Sequence, residues 1–440
     1  MYPAIDPFGN AFQVQHEASA AALNDFVEGF LGYTPRILAV LAAAEHDASL
    51  IVQTCAAVLW MFSESPAGPP KARAHLQRAA DAALPANARE RLFNHAVQQW
   101  LSNDLAAMLI SHEQLARQYP RDLASLKLGQ VHAFNLGDCP TMLRLALHAA
   151  PVASDVAWLH GLLAFGYEQC HQMDKAESSA RRALAMRPVE PWAQHALAHV
   201  MLTDGRLAEG ANFMQLASGQ WAGLTSFMRC HNWWHLALFQ IELGDDAAAL
   251  ALYDDQVWGV EKSYSQDQVG AVSLLARLEL AGLDVGRRWH ELGDWLAVRT
   301  ADQVQPFLDL QYLYGLARAE RTEADQLLAS IEAFAPHAPV ATRAAWTDVA
   351  VPAARGMLAH ARGQWADAAR HLEIALPRLI HIGGSHAQRD LFEQVCIDAL
   401  QRSGQLGAVL NLLQPRLNAQ PQSARLRRRL ARVTAGLCLA

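Results

Sequence analysis

His195 and His199 stand four residues apart, and His231 and His235 repeat that spacing around Asn232-Trp233-Trp234. A four-residue step on a helix keeps two side chains on one face. Imidazoles gathered with indoles in this way support three chemistries. They can hold a transition metal, since imidazole suits zinc, copper, iron and nickel. His195, His199 and His231 can act as general acid and base near neutral pH, with Glu168 orienting one of them. They can also hydrogen-bond a polar group of a guest while Trp158, Trp192 or Trp234 stacks on its apolar part. Against these stands plain packing, in which a histidine only bonds a neighbouring carbonyl. No carboxylate or cysteine shares the spacing, so no cofactor is expected; a His-bound transition metal is the alternative weighed against that.

A second constellation is Gly383-Gly384-Ser385-His386-Ala387-Gln388-Arg389-Asp390. Ser385 followed by Gln388 is a capping-box pattern, and the glycines permit a tight turn before a helix. A helix start with Arg389 nearby suits a carboxylate or phosphate. The simpler reading is that Arg389 and Asp390 tie the loop to a neighbouring helix. The basic run Arg425–Arg432 is read as a solvated cap on a terminal helix that complements its dipole. No Walker-type loop, G-x-S-x-G, H-E-x-x-H or C-x-x-C is present.

The elements that carry these residues follow from periodicity. Apolar residues recur at spacings of three and four almost from end to end, broken by turns such as Tyr119-Pro120 and Arg187-Pro188, so the chain is expected to be all-α. The helices repeat. Leu163-Ala164 falls on Leu197-Ala198 after 34 residues, and His171 falls on Gly205, on Gly137 one step back and on Asn103 two steps back. This is a tetratricopeptide-repeat pattern, which predicts helix pairs stacked into a right-handed α-solenoid. The expected divisions are 1–88 with degenerate repeats, 89–257 in register, an irregular helical segment at 258–345, and further repeats with a cap helix at 346–440. The first helix of each pair should line a concave face. Position counting puts Lys127, Trp158, Glu168, Trp192, His195, His199, His231 and Trp234 there, whereas His235 falls on the outward side. His195, His199, His231 and Trp234 are thus expected to share a cavity, which Ser385 or Arg389 would reach.

His195-Ala196-Leu197-Ala198-His199, Cys230-His231-Asn232-Trp233-Trp234-His235 and the Gly383–Asp390 segment together resemble the tetratricopeptide repeat protein 38 family. The resemblance runs through most of the chain in the same order. It implies a repeat-built fold and points to His195, His199, His231, Asn232, Trp234, His235, Gln388, Arg389 and Asp390, without implying a reaction.

A net charge of −7 argues against a general binder of the phosphate backbone, so no nucleic-acid partner is expected. The chain is 52% hydrophobic and 18% charged, which excludes disorder, and no run of about twenty apolar residues predicts a membrane span. Six scattered cysteines read as buried thiols, and the first residues lack a basic start and an apolar run, so a cytoplasmic protein is expected. The function read from these features is binding of a small molecule or peptide terminus in a His/Trp-lined pocket. Acid–base catalysis of hydrolase or transferase type, and a protein–protein scaffold, are the alternatives; self-association is left open.

Overall fold

The computed structural model describes residues 1–439. The protein is an all-α chain of tetratricopeptide-type helix pairs. The repeat register is visible in the backbone. Asn103, Gly137, His171 and Gly205, spaced by 34 residues, all turn through left-handed conformations with φ of 59°, 73°, 56° and 71°. A turn of that hand favours glycine, with asparagine the next most tolerant, so the histidine at 171 is the costliest of the four. Gly244, Gly363 and Gly404 close later pairs in the same way, with φ of 88°, 73° and 82°. Aspartates after several turns then start the second helices: Asp104, Asp138 and Asp245 each accept the backbone N–H three residues on.

The described chain gathers into two compact units. The first comprises Met1–Leu197 with Ala222–Thr225, and the second Ala198–Trp221 with the residues from Ser226 onward. The first unit opens on an antiparallel hairpin, Tyr2–Ile5 with Ala11–Val14, which the periodicity did not predict. Phe12 and Val14 are its inward pair, packed with Phe26, Phe30 and Val52. The helices of that unit include Glu17–Gly32, Leu123–Asn135 and Ala157–Gln169.

In the second unit the helices Ser226–Leu243, Ser265–Ala281, Pro306–Arg318, Val351–Ala361 and His386–Arg402 share one apolar core. Single turns of five-residue hydrogen bonding at Tyr253–Val257 and Trp346–Ala350 bracket the stretch between them. Such a turn slips the helical register by a residue, and the intervening helices keep no 34-residue frame.

The terminal basic run corrects the sequence expectation. Arg425 and Arg429 are buried, not solvated. Arg425 pairs with Glu242 at 2.7 Å, Arg429 with Asp398 at 3.3 Å and Arg428 with Asp246 at 3.2 Å. The helix Ala424–Gly436 is thus docked by ion pairs to residues more than 25 positions away in sequence. No disulfide forms among the described residues; four cysteines are buried, Cys170 is half-buried and Cys438 is exposed, so the expectation of six buried thiols holds for four.

Candidate functional site

The helix Pro191–Thr203 carries both His195 and His199, and the border between the compact units falls inside it. His195 is counted with the first unit and His199 with the second.

In the first unit, His195 stacks on Trp192 with ring centres 4.5 Å apart, and Phe165 meets the two rings at 5.2 and 4.6 Å. Next to them Lys127 is buried, its ammonium 3.4 Å from the centre of the Tyr33 ring and 6.0 Å from that of Trp192. That ammonium donates to the carbonyls of Phe30 and Leu31. The carboxylate of Glu190 caps the helix, accepting from the N–H groups of Trp192 and Ala193. Gly161 makes room for it: a Cβ there would stand 2.8 Å from Glu190 Oε2. Burial pushes the Glu190 carboxyl up to about 7, against the pull of those N–H groups and of Lys127. Burial likewise draws the Lys127 ammonium well below its ordinary value. Glu168 is fully buried and accepts from Gln169 at 2.6 Å. Trp158 lies edge-on to Phe8 at 5.7 Å with the Arg187 guanidinium over its ring.

The second unit builds an imidazole cluster from three helices. His199 comes from Pro191–Thr203, His231 and His235 from Ser226–Leu243, and His386 from the start of His386–Arg402. The His199 ring centre lies 4.6 Å from that of His235 and 5.4 Å from that of His386; His231 and His235 are 4.8 Å apart. His199, His231 and His235 each present a ring nitrogen within 4.8 Å of the other two. His199 and His235 are fully buried, while His231 keeps some accessible surface. Burial, with His199 beside it, pushes the His231 imidazole down to about 3, so it is neutral at physiological pH.

Trp234 lies parallel to His231, with ring centres 5.2 Å apart and 9° between planes. The Trp234 Nε1–H and both amide atoms of the fully buried Asn232 have no hydrogen-bond partner among the described residues. Buried polar atoms are nearly always satisfied by protein or water, so these groups are open to a water or a ligand.

The Gly383–Asp390 segment does what its sequence pattern announces. Ser385 Oγ accepts from the Gln388 N–H at 3.2 Å and Gln388 Oε1 from the Ser385 N–H at 2.9 Å, a full capping box. Arg389 folds back to the Gly384 carbonyl. Asp390 pairs with Arg416 and stands 3.9 Å from Arg277. Burial alone would raise the Asp390 carboxyl, but those guanidinium groups outweigh it and hold it well below the usual range.

Two expectations change in consequence. His235, placed on the outward side by repeat counting, sits inside the cluster, because Ser226–Leu243 is an 18-residue helix flanked on more than one side. The loop does reach His199, through His386, whose Nε2 is 3.2 Å from Thr203 Oγ1. The guanidinium beside Trp234 is that of Arg277, at 5.3 Å, bonded to Ser273 and to the Ala387 carbonyl at 2.6 and 2.7 Å. Sequence reasoning missed Arg277 and His386 as site residues. Neither has a spaced partner, and an arginine inside an apolar helix was the one signal on offer.

Comparisons with known proteins give little more. No family model matches the chain. Among solved structures, human IFIT1 in a dimer with PPP-AAAA is similar at a TM-score of 0.43 and 12% identity, covering 94% of this chain and 95% of that one. A monomeric IFIT1 mutant with Gppp-AAAA gives 0.42 and 13%, covering 93% and 95%. Naa15/Naa10 bound to HypK-THB gives 0.27 and 11%, covering 94% and 66%. Among the described residues no helix is long and apolar enough to cross a membrane.

Proposed function

We propose that this protein is a relative of the tetratricopeptide repeat protein 38 family that binds a small molecule or peptide terminus at the imidazole cluster of its second unit. One observation carries the reading. Four histidines from three separate helices converge beside a stacked Trp234, with Asn232 and Trp234 holding buried polar atoms that have no partner among the described residues. Packing alone favours apolar residues at such positions, since burying an imidazole or amide costs free energy that only a hydrogen bond offsets. A nucleic-acid ligand is disfavoured: Arg425, Arg428 and Arg429 of the basic run are spent on carboxylates within the protein.

The test is calorimetric titration with N-acetyl-tryptophan and a panel of N-acetyl amino acids and short peptides, compounds that pair an aromatic or apolar group with a carboxylate. Saturable binding is expected, weakened about tenfold or more in His231→Gln through loss of a charge-assisted contact. Absence of binding by every member of the panel overturns the reading, as does equal binding by His231→Gln.

A further inference from the structure

We infer that His199, His231 and His235 supply ligands to a binding site for a single divalent transition-metal ion. The inference rests on the reading of the cluster as a binding centre and names what the imidazoles hold.

The argument is geometric. Three ring nitrogens within 4.8 Å of one another are drawn from two helices, so their approach is set by helix packing and not by a single flexible loop. A metal bound by imidazole has metal–nitrogen distances of about 2.0–2.1 Å, which places ligand nitrogens roughly 3.4 Å apart in a tetrahedron. Rotation about the side-chain torsions of His199 and His235 would have to close the difference. Ring centres at 4.6 and 4.8 Å, with interplanar angles of 55° and 85°, already splay the three imidazoles in the manner of a coordination shell. Parallel stacking would have aimed the nitrogens apart.

Donor chemistry narrows the ion. Three imidazole nitrogen donors suit zinc, nickel, copper or iron, and do not suit calcium or magnesium, which take oxygen ligands. The second observation is independent of the histidines. Asn232, between His231 and His235 in sequence, is fully buried with an amide that has no partner among the described residues, and Trp234 Nε1–H is in the same condition. A metal-bound water or a carboxylate offers such groups the acceptor or donor they lack. His386, held at 3.2 Å from Thr203 and edge-on to His199, is a positioning residue for the His199 ring.

The experiment uses the full chain, purified without a polyhistidine tag and stripped with chelator. Cobalt(II), zinc(II) and nickel(II) are each titrated in, with the visible bands of cobalt and competition by zinc as readouts. One equivalent per chain is expected, with a Kd tighter than about 1 μM. His199→Gln, His231→Gln and His235→Gln should each weaken it about a hundredfold or more, above the 10- to 100-fold typical of losing an outer-shell partner. Should a variant fail to fold by circular dichroism, X-ray absorption on the zinc-loaded native chain decides instead; three imidazole nitrogens at about 2.0–2.1 Å are expected. A Kd weaker than about 10 μM for all three ions, or a shell with fewer than three imidazoles, overturns the inference. Metal failure alongside positive titration with N-acetyl amino acids removes the metal alone, whereas failure of both removes the binding centre.

Discussion

The surroundings of Lys127 and of His231 bury polar side chains in opposite styles. Around Lys127 the first unit satisfies its charges from within: the ammonium rests on two backbone carbonyls and an aromatic face, and Glu190 sits on two N–H groups at a helix start. Around His231 the second unit brings together several imidazoles and leaves an amide and an indole N–H with nothing among the described residues to bond. Residue types alone make the regions look alike, each with tryptophan, histidine and a cation in the neighbourhood. The difference is completeness. The bonds around Lys127 are made within the fold, whereas Asn232 and Trp234 keep groups that a guest could bond. On that criterion Lys127 holds the first unit together rather than touching a ligand.

The largest effect should therefore come from the finished site. Lys127→Met leaves Glu190 buried without its cation and two carbonyls without a donor, and should cost about 3 kcal/mol in urea denaturation. A loss below about 1 kcal/mol would erase the contrast between the units.

The next effect is one of pH. His231 titrates at about 3 in the folded chain against 6.5 ordinarily, so between those values the unfolded chain holds a proton that the folded chain does not. Its contribution is complete above pH 6.5 and is lost as pH falls, reaching about 2 kcal/mol at pH 5. His231→Leu should remove that part of the acid sensitivity; an unchanged profile would show that the imidazole is not held neutral. Glu190 works in the other direction. Its carboxyl lies near 7 against 4.5, so the folded chain holds the extra proton and stability from this group falls as pH rises through that window. Glu190→Gln should flatten that fall while keeping an acceptor for the Trp192 and Ala193 N–H groups, and a steeper fall in the variant would contradict the assignment.

The smallest effect belongs to the capping box. Ser385→Ala should cost about 1 kcal/mol of stability and leave affinity for N-acetyl amino acids unchanged. Loss of binding in a folded Ser385→Ala protein would make this helix start a ligand contact.

Much of the fold was legible in the sequence, because a repeat advertises itself locally. The turns at Asn103, Gly137, His171 and Gly205 follow from spacing alone. The hairpin escaped because Tyr2–Ile5 and Ala11–Val14 are four residues each, too short to show an alternation, and Pro3 interrupts the first. The cap helix was misjudged because burial of Arg425 and Arg429 depends on Glu242 and Asp398, which no local pattern connects to them. The site was half legible. The spacing of His199, His231 and His235 singled them out, but repeat counting turned His235 outward. Nothing in sequence joined Arg277 to Ala387, 110 residues away.

One double variant, His199→Leu/His231→Leu, tests most directly whether the imidazole cluster exists for a ligand. Its urea midpoint and its affinity for N-acetyl-tryptophan are measured on the same preparation. Apolar side chains of similar bulk remove desolvated polar groups, so the account predicts a midpoint equal to or above that of the native chain, with binding abolished. A collapsed midpoint with binding intact would make the histidines part of the packing and contradict it.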